Sequence, residues 1–257
     1  MRDFITCLEF LTRVRFSKRT DWRDEDFSHS VPYFPLVGLV IGFLLAAVNY
    51  SLFYIETPLF LRVTLLLLAE IIITGGLMYD GFMDTADGVF SARSRERMLE
   101  IMKDSHVGSN AVLAIIILLL LKIAAYLELS GETLTWVLLT MSVATRTFMV
   151  VFIVNFPYAR KEGIGHMFTK YAKPFYTYIA FAVCAGIIAA CGLQYLAVAG
   201  ICFTVTLIIA QYLKTQLGGL TGDTYGALTE CGNVIYLLTA VFLLRSVSYT
   251  HLTLPTN

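Results

Sequence analysis

The sequence predicts an all-α integral membrane protein, a polytopic helical bundle of about six to seven transmembrane helices with an N-terminal amphipathic interfacial helix. Three observations carry this. Hydrophobic residues make up 57% of the 257 and charged ones only 15%, whereas soluble domains are about a quarter charged. Mean hydropathy is +0.72. The apolar residues also gather into long runs, with most charges in the stretches between them. A formal net charge of zero gives no bulk field for nucleic acid. Cys7, Cys184, Cys191, Cys202 and Cys231 contain no C-x-x-C pair, so neither a disulfide framework nor a zinc site is expected.

In chain order, residues 1–16 place Phe4, Leu8, Leu11 and Arg15 at helical spacing among charges, as a helix lying on the membrane surface does. Lys18 to His29 reads as a short polar surface loop. A first span runs from Val31 to Ile55, entered through Pro32 and Pro35, with Gly38 and Gly42 offering a face that a second helix can approach closely. The second, Leu59 to Met78, leads straight into an acidic stretch, Thr74 to Ser91. Asp104 and Ser105 are expected to cap the third, Val107 to Leu127. The fourth, Leu134 to Val154, contains Arg146, read as the only charged mid-span residue and expected to face the bundle interior.

The fifth and sixth spans, Phe175 to Cys191 and Tyr195 to Leu213, are joined by a very short turn. The stretch QLGGLTGDTYGALTECGN then reads as a glycine-rich loop, and Val234 to Leu244 as only about half of a crossing. One membrane domain covers residues 1–245. The tail, residues 246–257, changes character abruptly and is either a non-native scar or a truncated end of the last span.

Alternating the spans sends Arg2, Arg13, Arg15, Lys18, Arg19, Arg93, Arg95, Arg97, Lys103, Arg160, Lys161 and Lys214 to the side of the N-terminus. The opposite side receives Arg62 and Arg245, with Lys122 snorkelling there, and short plain turns such as Ser130 to Glu132. The positive-inside rule makes the N-terminal side cytoplasmic, in the cytoplasmic (inner) membrane.

The acid-bearing and glycine-rich loops all fall on that same side. Asp80, Asp84 and Asp87, at offsets of four and seven, share one helical face. Like charges so placed repel, and such a cluster usually persists because a cation, often Mg²⁺, sits among them and holds a phosphate. Lys103, Asp104 and Ser105 are expected at a helix N-terminus suited to phosphate. Arg160, Lys161, Gly163, Gly165 and His166 can wrap a diphosphate. Gly218, Gly219, Gly222, Asp223, Thr224 and Gly226 form a tight loop that lets backbone approach a ligand. His29 and His106 read as polar loop residues.

The strings GGLMYDGFMDTADGVF, EIMKDSHVG and GGLTGDTYGA, with FLTR at Phe10 to Arg13 and YFPLVGLVIG at Tyr33 to Gly42, resemble the cobalamin synthase family over Phe4 to Leu244. The resemblance implies a Mg²⁺-dependent transferase that joins adenosylcobinamide-GDP to α-ribazole, or its 5′-phosphate, and releases GMP. It implies Asp80 and Asp84 as metal ligands, and Asp87 as a further ligand or the base. Lys103 would act beside them. Arg13, Asp104, Ser105, Arg146, Arg160, Gly165, Gly222, Asp223 and Thr224 would bind substrate. The lipid bilayer is a partner, and a homo-oligomer or a complex with other cobalamin-assembly enzymes stays open. Two rival readings are weaker. A CDP-alcohol-type phosphotransferase of lipid synthesis would carry an A-R pair where this chain has Phe82 and Met83. A cation-coupled transporter would place its polar groups near the bilayer midplane.

Overall fold

The computed structural model describes residues 2–15, 23–129 and 131–252, with side chains throughout except at Asp24 and residues 245–252. Lys18 to Trp22 of the expected surface loop, Ser130 of the expected opposite turn and residues 253–257 of the tail lie outside the described residues. The architecture is all-α, as expected. In hydrocarbon, backbone polar groups have to pair within their own segment, and a helix does this. Among the described residues, five helices are long and apolar enough to cross a membrane: α3 (Phe34–Tyr54) with the segment leading into it, α7 (Ser109–Glu128), α8 (Glu132–Asn155), α11 (Leu193–Leu217) and α12 (Gly222–Leu252). Two bent pairs bring the number up to seven: α4 (Leu59–Thr74) with α5 (Leu77–Phe90), and α9 (Ile164–Lys170) with α10 (Phe175–Cys191). We take α4 and α10 as the crossing arms.

α8 is the central post. Its apolar window is 89% buried within the protein, against 28% for those of α7 and α11, which therefore face lipid. α3 lies closest to it, and the glycine pair explains how. A Cβ on Gly38 would run into the Ser142 carbonyl, and one on Gly42 would come within 2.7 Å of the Leu139 Cα. The small-residue face expected from sequence is used for this approach.

Several boundaries differ from expectation. The second span does not run straight into the acidic stretch. Gly75 (φ 69°) and Gly76 (φ 72°) are both left-handed, a conformation glycine adopts without steric cost, and the chain turns through 93° between α4 and α5. The N-terminal helix α1 (Arg2–Leu11) is shorter than expected and buries Cys7, Leu8 and Leu11 against the bundle instead of only lying on lipid. Part of the expected loop is helix α2 (Asp24–Ser30). The last span is a full crossing, Gly222–Leu244, and its helix runs on to Leu252. Its polar half escaped recognition because Thr224, Thr229, Glu230 and Asn233 lower the local hydropathy, yet all four are buried against neighbouring helices.

The interior also holds more charge than expected. Lys122 does not snorkel; it is fully buried on α7. Its ammonium donates to Glu70 of α4 (2.7 Å), to the Tyr79 hydroxyl of α5 (2.7 Å) and to Glu230 of α12 (3.1 Å). Tyr126 donates to Glu70 as well. Arg146 faces inward as expected, and its Nη1 donates to Thr145 Oγ1 (3.1 Å), which in turn bonds Asn233. Glu70, Lys122 and Glu230 thus join Arg146 as interior charges, and their partners are what make that burial tolerable.

Candidate active site

The 93° turn aims α5 across the end of the bundle where α1, α9 and the start of α12 meet. Asp80, at the beginning of α5, lies on three cavities at once. One, of about 600 Å³, is lined by Arg13, Arg15 and the Thr74–Gly76 turn. A second, of about 240 Å³, contains Arg160, Gly165, Gly222 and Asp223. The third, of about 230 Å³, contains Asp84, Asp87, Lys103, Asp104, Ser105 and His106. Nearly all the residues singled out from sequence therefore converge on this one end. Arg146 does not; it lines none of the three and belongs to the interior network.

Glycines bring the acidic helix onto α12. A Cβ on Gly81 would lie 2.7 Å from the Asp223 carbonyl, and one on Gly226 would lie 3.0 Å from the Met78 carbonyl. Asp223 is thereby set beside Asp80 and Asp84. Arg160 reaches it because the loop after α8 pairs with the loop before α12. Ala159 N–H donates to Leu220 O and Leu220 N–H to Pro157 O, both at 2.8 Å. Gly219 permits this, since a Cβ there would meet the Pro157 carbonyl at 2.6 Å. Arg160 Nη1 then donates to Asp223 Oδ2 at 2.8 Å, while its Nε and Nη2, both buried, have no partner among the described residues. Buried donors left in that state are costly unless a ligand completes them.

The carboxylates differ in their surroundings. Burial, with Asp80 and then Asp223 close by, pushes the Asp84 carboxyl up to about 7, and Arg160 only partly offsets this. Asp87 has another task. Its Oδ2 accepts from Gly108 N–H (2.6 Å) and its Oδ1 from Ala111 N–H (2.8 Å), so it caps α7 from a different helix. Among the described residues no three His, Cys, Asp or Glu side chains are placed to share a metal ion. The expected Asp80–Asp84–Asp87 set is not closed in this arrangement, because Asp87 is turned to the helix end.

Asp87 also displaces the expected caps. α7 begins at Ser109, so Asp104 and Ser105 precede it, and Lys103 follows the end of α6 (Arg95–Ile101). Lys103 lines the Asp84 cavity on one side and a cavity with Arg160 and Lys161 on the other. Asp104 accepts from the His106 backbone (3.0 Å) and pairs with its ring (2.6 Å). That exposed contact holds the Asp104 carboxyl low and the His106 imidazole high. Thr224 is fully buried and exchanges hydrogen bonds with Thr221 at the start of α12, a capping task.

Tyr158 and Tyr225 went unmarked in the sequence. The Tyr158 hydroxyl lies against Gly165, where a Cβ would stand 2.6 Å from it. Tyr225 lines the second cavity, and its hydroxyl is buried without a partner among the described residues. No local pattern marks either tyrosine; only the pairing of the two loops brings them to the site.

The sequence profile described as cobalamin-5-phosphate synthase matches residues 3–241. The chain is 36% identical to the adenosylcobinamide-GDP ribazoletransferase of Clostridium novyi, over 93% of this chain and 96% of that protein. It is 41% identical to the enzyme of the same name from Desulforamulus reducens, over 87% and 89%, and 37% identical to that of Escherichia coli, over 91% and 97%. No solved structure matches the chain. The chain belongs to the cobalamin-5-phosphate synthase family.

Proposed function

We propose that the chain is the membrane-bound transferase that joins adenosylcobinamide-GDP to α-ribazole, or to its 5′-phosphate, with release of GMP. A hydroxyl of the nucleoside attacks the cobinamide-side phosphorus. A P–O bond forms there as the bond to the GMP phosphate breaks, and GMP departs with the electron pair. The observation that carries this reading is Arg160, held by Asp223 with two buried donors still unpartnered beside a cluster of carboxylates. That is the equipment a diphosphate needs. Arg13 and Lys103, on the adjoining cavities, add charge for the same group.

The donor set fits Mg²⁺, which binds through one or two carboxylates and completes its shell with substrate phosphate and water. Asp80 and Asp84 would hold it, and the cation would neutralise the charge of the diphosphate when bound. The raised carboxyl of Asp84 supports that fit, because a cation relieves the crowding that raises it. The proton of the attacking hydroxyl passes to a carboxylate of this cluster that the cation leaves free.

The deciding experiment is GMP release from adenosylcobinamide-GDP and α-ribazole by detergent-purified protein, with and without Mg²⁺. Release that requires both substrates and the cation is expected, and no release under any condition would refute the reaction. We also propose that this end of the bundle faces the cytoplasm, on the positive charge of its loops. Labelling of Ser91→Cys from the outer side alone would reverse that orientation.

A further inference from the structure

Resting on the proposed reaction, the structure assigns the second cavity to one of the two substrates and names the group that reads it. We propose that the roughly 240 Å³ cavity beside Asp80 seats the aromatic base of the incoming nucleoside, and that the Tyr225 hydroxyl donates to the free ring nitrogen of that base.

Size comes first. At about 30 Å³ per water in the liquid, the cavity holds roughly eight waters. That suffices for a two-ring base and not for a corrinoid with its side chains. Of the larger substrate, only the two purine ends compete, the guanosine and the adenosyl group.

Chemistry separates the nucleoside's base from both purines. Phe10, Phe34 and Phe168 form one wall, with ring centroids 4.8 Å apart for Phe10–Phe168 and 5.6 Å apart for Phe34–Phe168, and Met149 and Ile153 add apolar surface. Guanine and adenine both carry several polar groups on their edges, and such walls would leave them unpaired. At the polar end the Asp223 carboxylate accepts from Arg160 and Thr221, both through Oδ2. A dimethylbenzimidazole riboside has no ring N–H and a single acceptor nitrogen. It matches an aromatic slot lined by Tyr225, 4% exposed and with its hydroxyl unpartnered among the described residues. With the base inside, the ribose lies at the polar end, beside Asp80 and Arg160, where its hydroxyl meets the diphosphate.

The test pairs a side chain with a ligand atom. Wild-type protein should bind α-ribazole about tenfold more tightly than its indole counterpart, in which carbon replaces the acceptor nitrogen, as expected for one buried hydrogen bond. Tyr225→Phe should erase that preference, raise the KM for α-ribazole by a similar factor and leave the KM for adenosylcobinamide-GDP unchanged. Ile153→Phe, which fills the slot from α8, should weaken α-ribazole in calorimetric binding and spare adenosylcobinamide-GDP. A rise in KM for the GDP substrate alone would mean that the cavity holds one of its two purine ends. Equal binding of nucleoside and indole analogue by wild type would overturn the role of Tyr225. If wild type releases GMP while neither variant disturbs α-ribazole, only the cavity assignment falls; if wild type releases none, the reaction itself falls.

Discussion

Two groups of charged side chains, one inside the bundle and one at its open end, are completed differently. Inside the bundle, Lys122 places its ammonium among Glu70, Tyr79 and Glu230 at 2.7 to 3.1 Å, tying α4, α5, α7 and α12 together. At the open end, Arg160 meets Asp223 with one nitrogen and leaves two others without a partner among the described residues. Asp84 there faces Asp80 and Asp223 with only Arg160 to compensate. A buried charge surrounded by its own protein is a structural device, because the low dielectric makes its partners indispensable. One left short of partners beside a cavity is held ready for a ligand. The two groups meet at neighbouring residues, since Tyr79 belongs to the first and Asp80 to the second.

The largest effect should come from breaking the first group. Lys122→Met leaves Glu70 and Glu230 buried without their cation, and should cost about 3–5 kcal/mol of stability. Thermal unfolding in detergent reads this directly. Adding Glu70→Gln should recover part of the loss, because Glu230 then still has Arg146 as its cation. A single variant as stable as wild type would show that the network is not what holds these helices.

Next, Arg160→Ala should lower turnover on the order of a hundredfold, as loss of one charge-stabilising group does, with a smaller thermal shift than that of Lys122→Met. An equal thermal loss in both variants would erase the distinction between the two groups.

The smallest effect concerns Asp84 and pH. Its folded carboxyl is raised to about 7, above the unfolded value of about 4. A raised carboxyl stabilises the fold while protonated, and that contribution is lost as pH climbs from about 4 through about 7. In chelator, Asp84→Asn should therefore gain on wild type across that window and keep a constant lead above it. The lead is modest because the group is partly exposed. A lead that shrinks as pH rises would place Asp84 away from like charge.

Much of the fold was legible because span length and apolar periodicity are local properties. Phe175 to Cys191 is helical over the expected bounds, and Gly38 and Gly42 bring a second helix close. The acidic helix and the residues that join it at one end were legible for a similar reason, since alternating spans send their loops to the same side.

What the chain could not disclose locally is who partners whom. Hydropathy hid the first half of α12, since Glu230 and Asn233 look like loop residues until Lys122 and Thr145 are found opposite them. Asp87 reads as a third metal ligand by spacing alone. It becomes a cap only because α7 starts where its carboxylate points. Sequence by itself determined most of the crossing helices, the side that carries the loops and the residue types gathered there, because burial in lipid and helical spacing act residue by residue. Tertiary structure alone decided which of those charges are paired, which remain open and which cavity they border, because a hydrogen bond between helices 43 to 108 residues apart in the chain depends on how the helices pack.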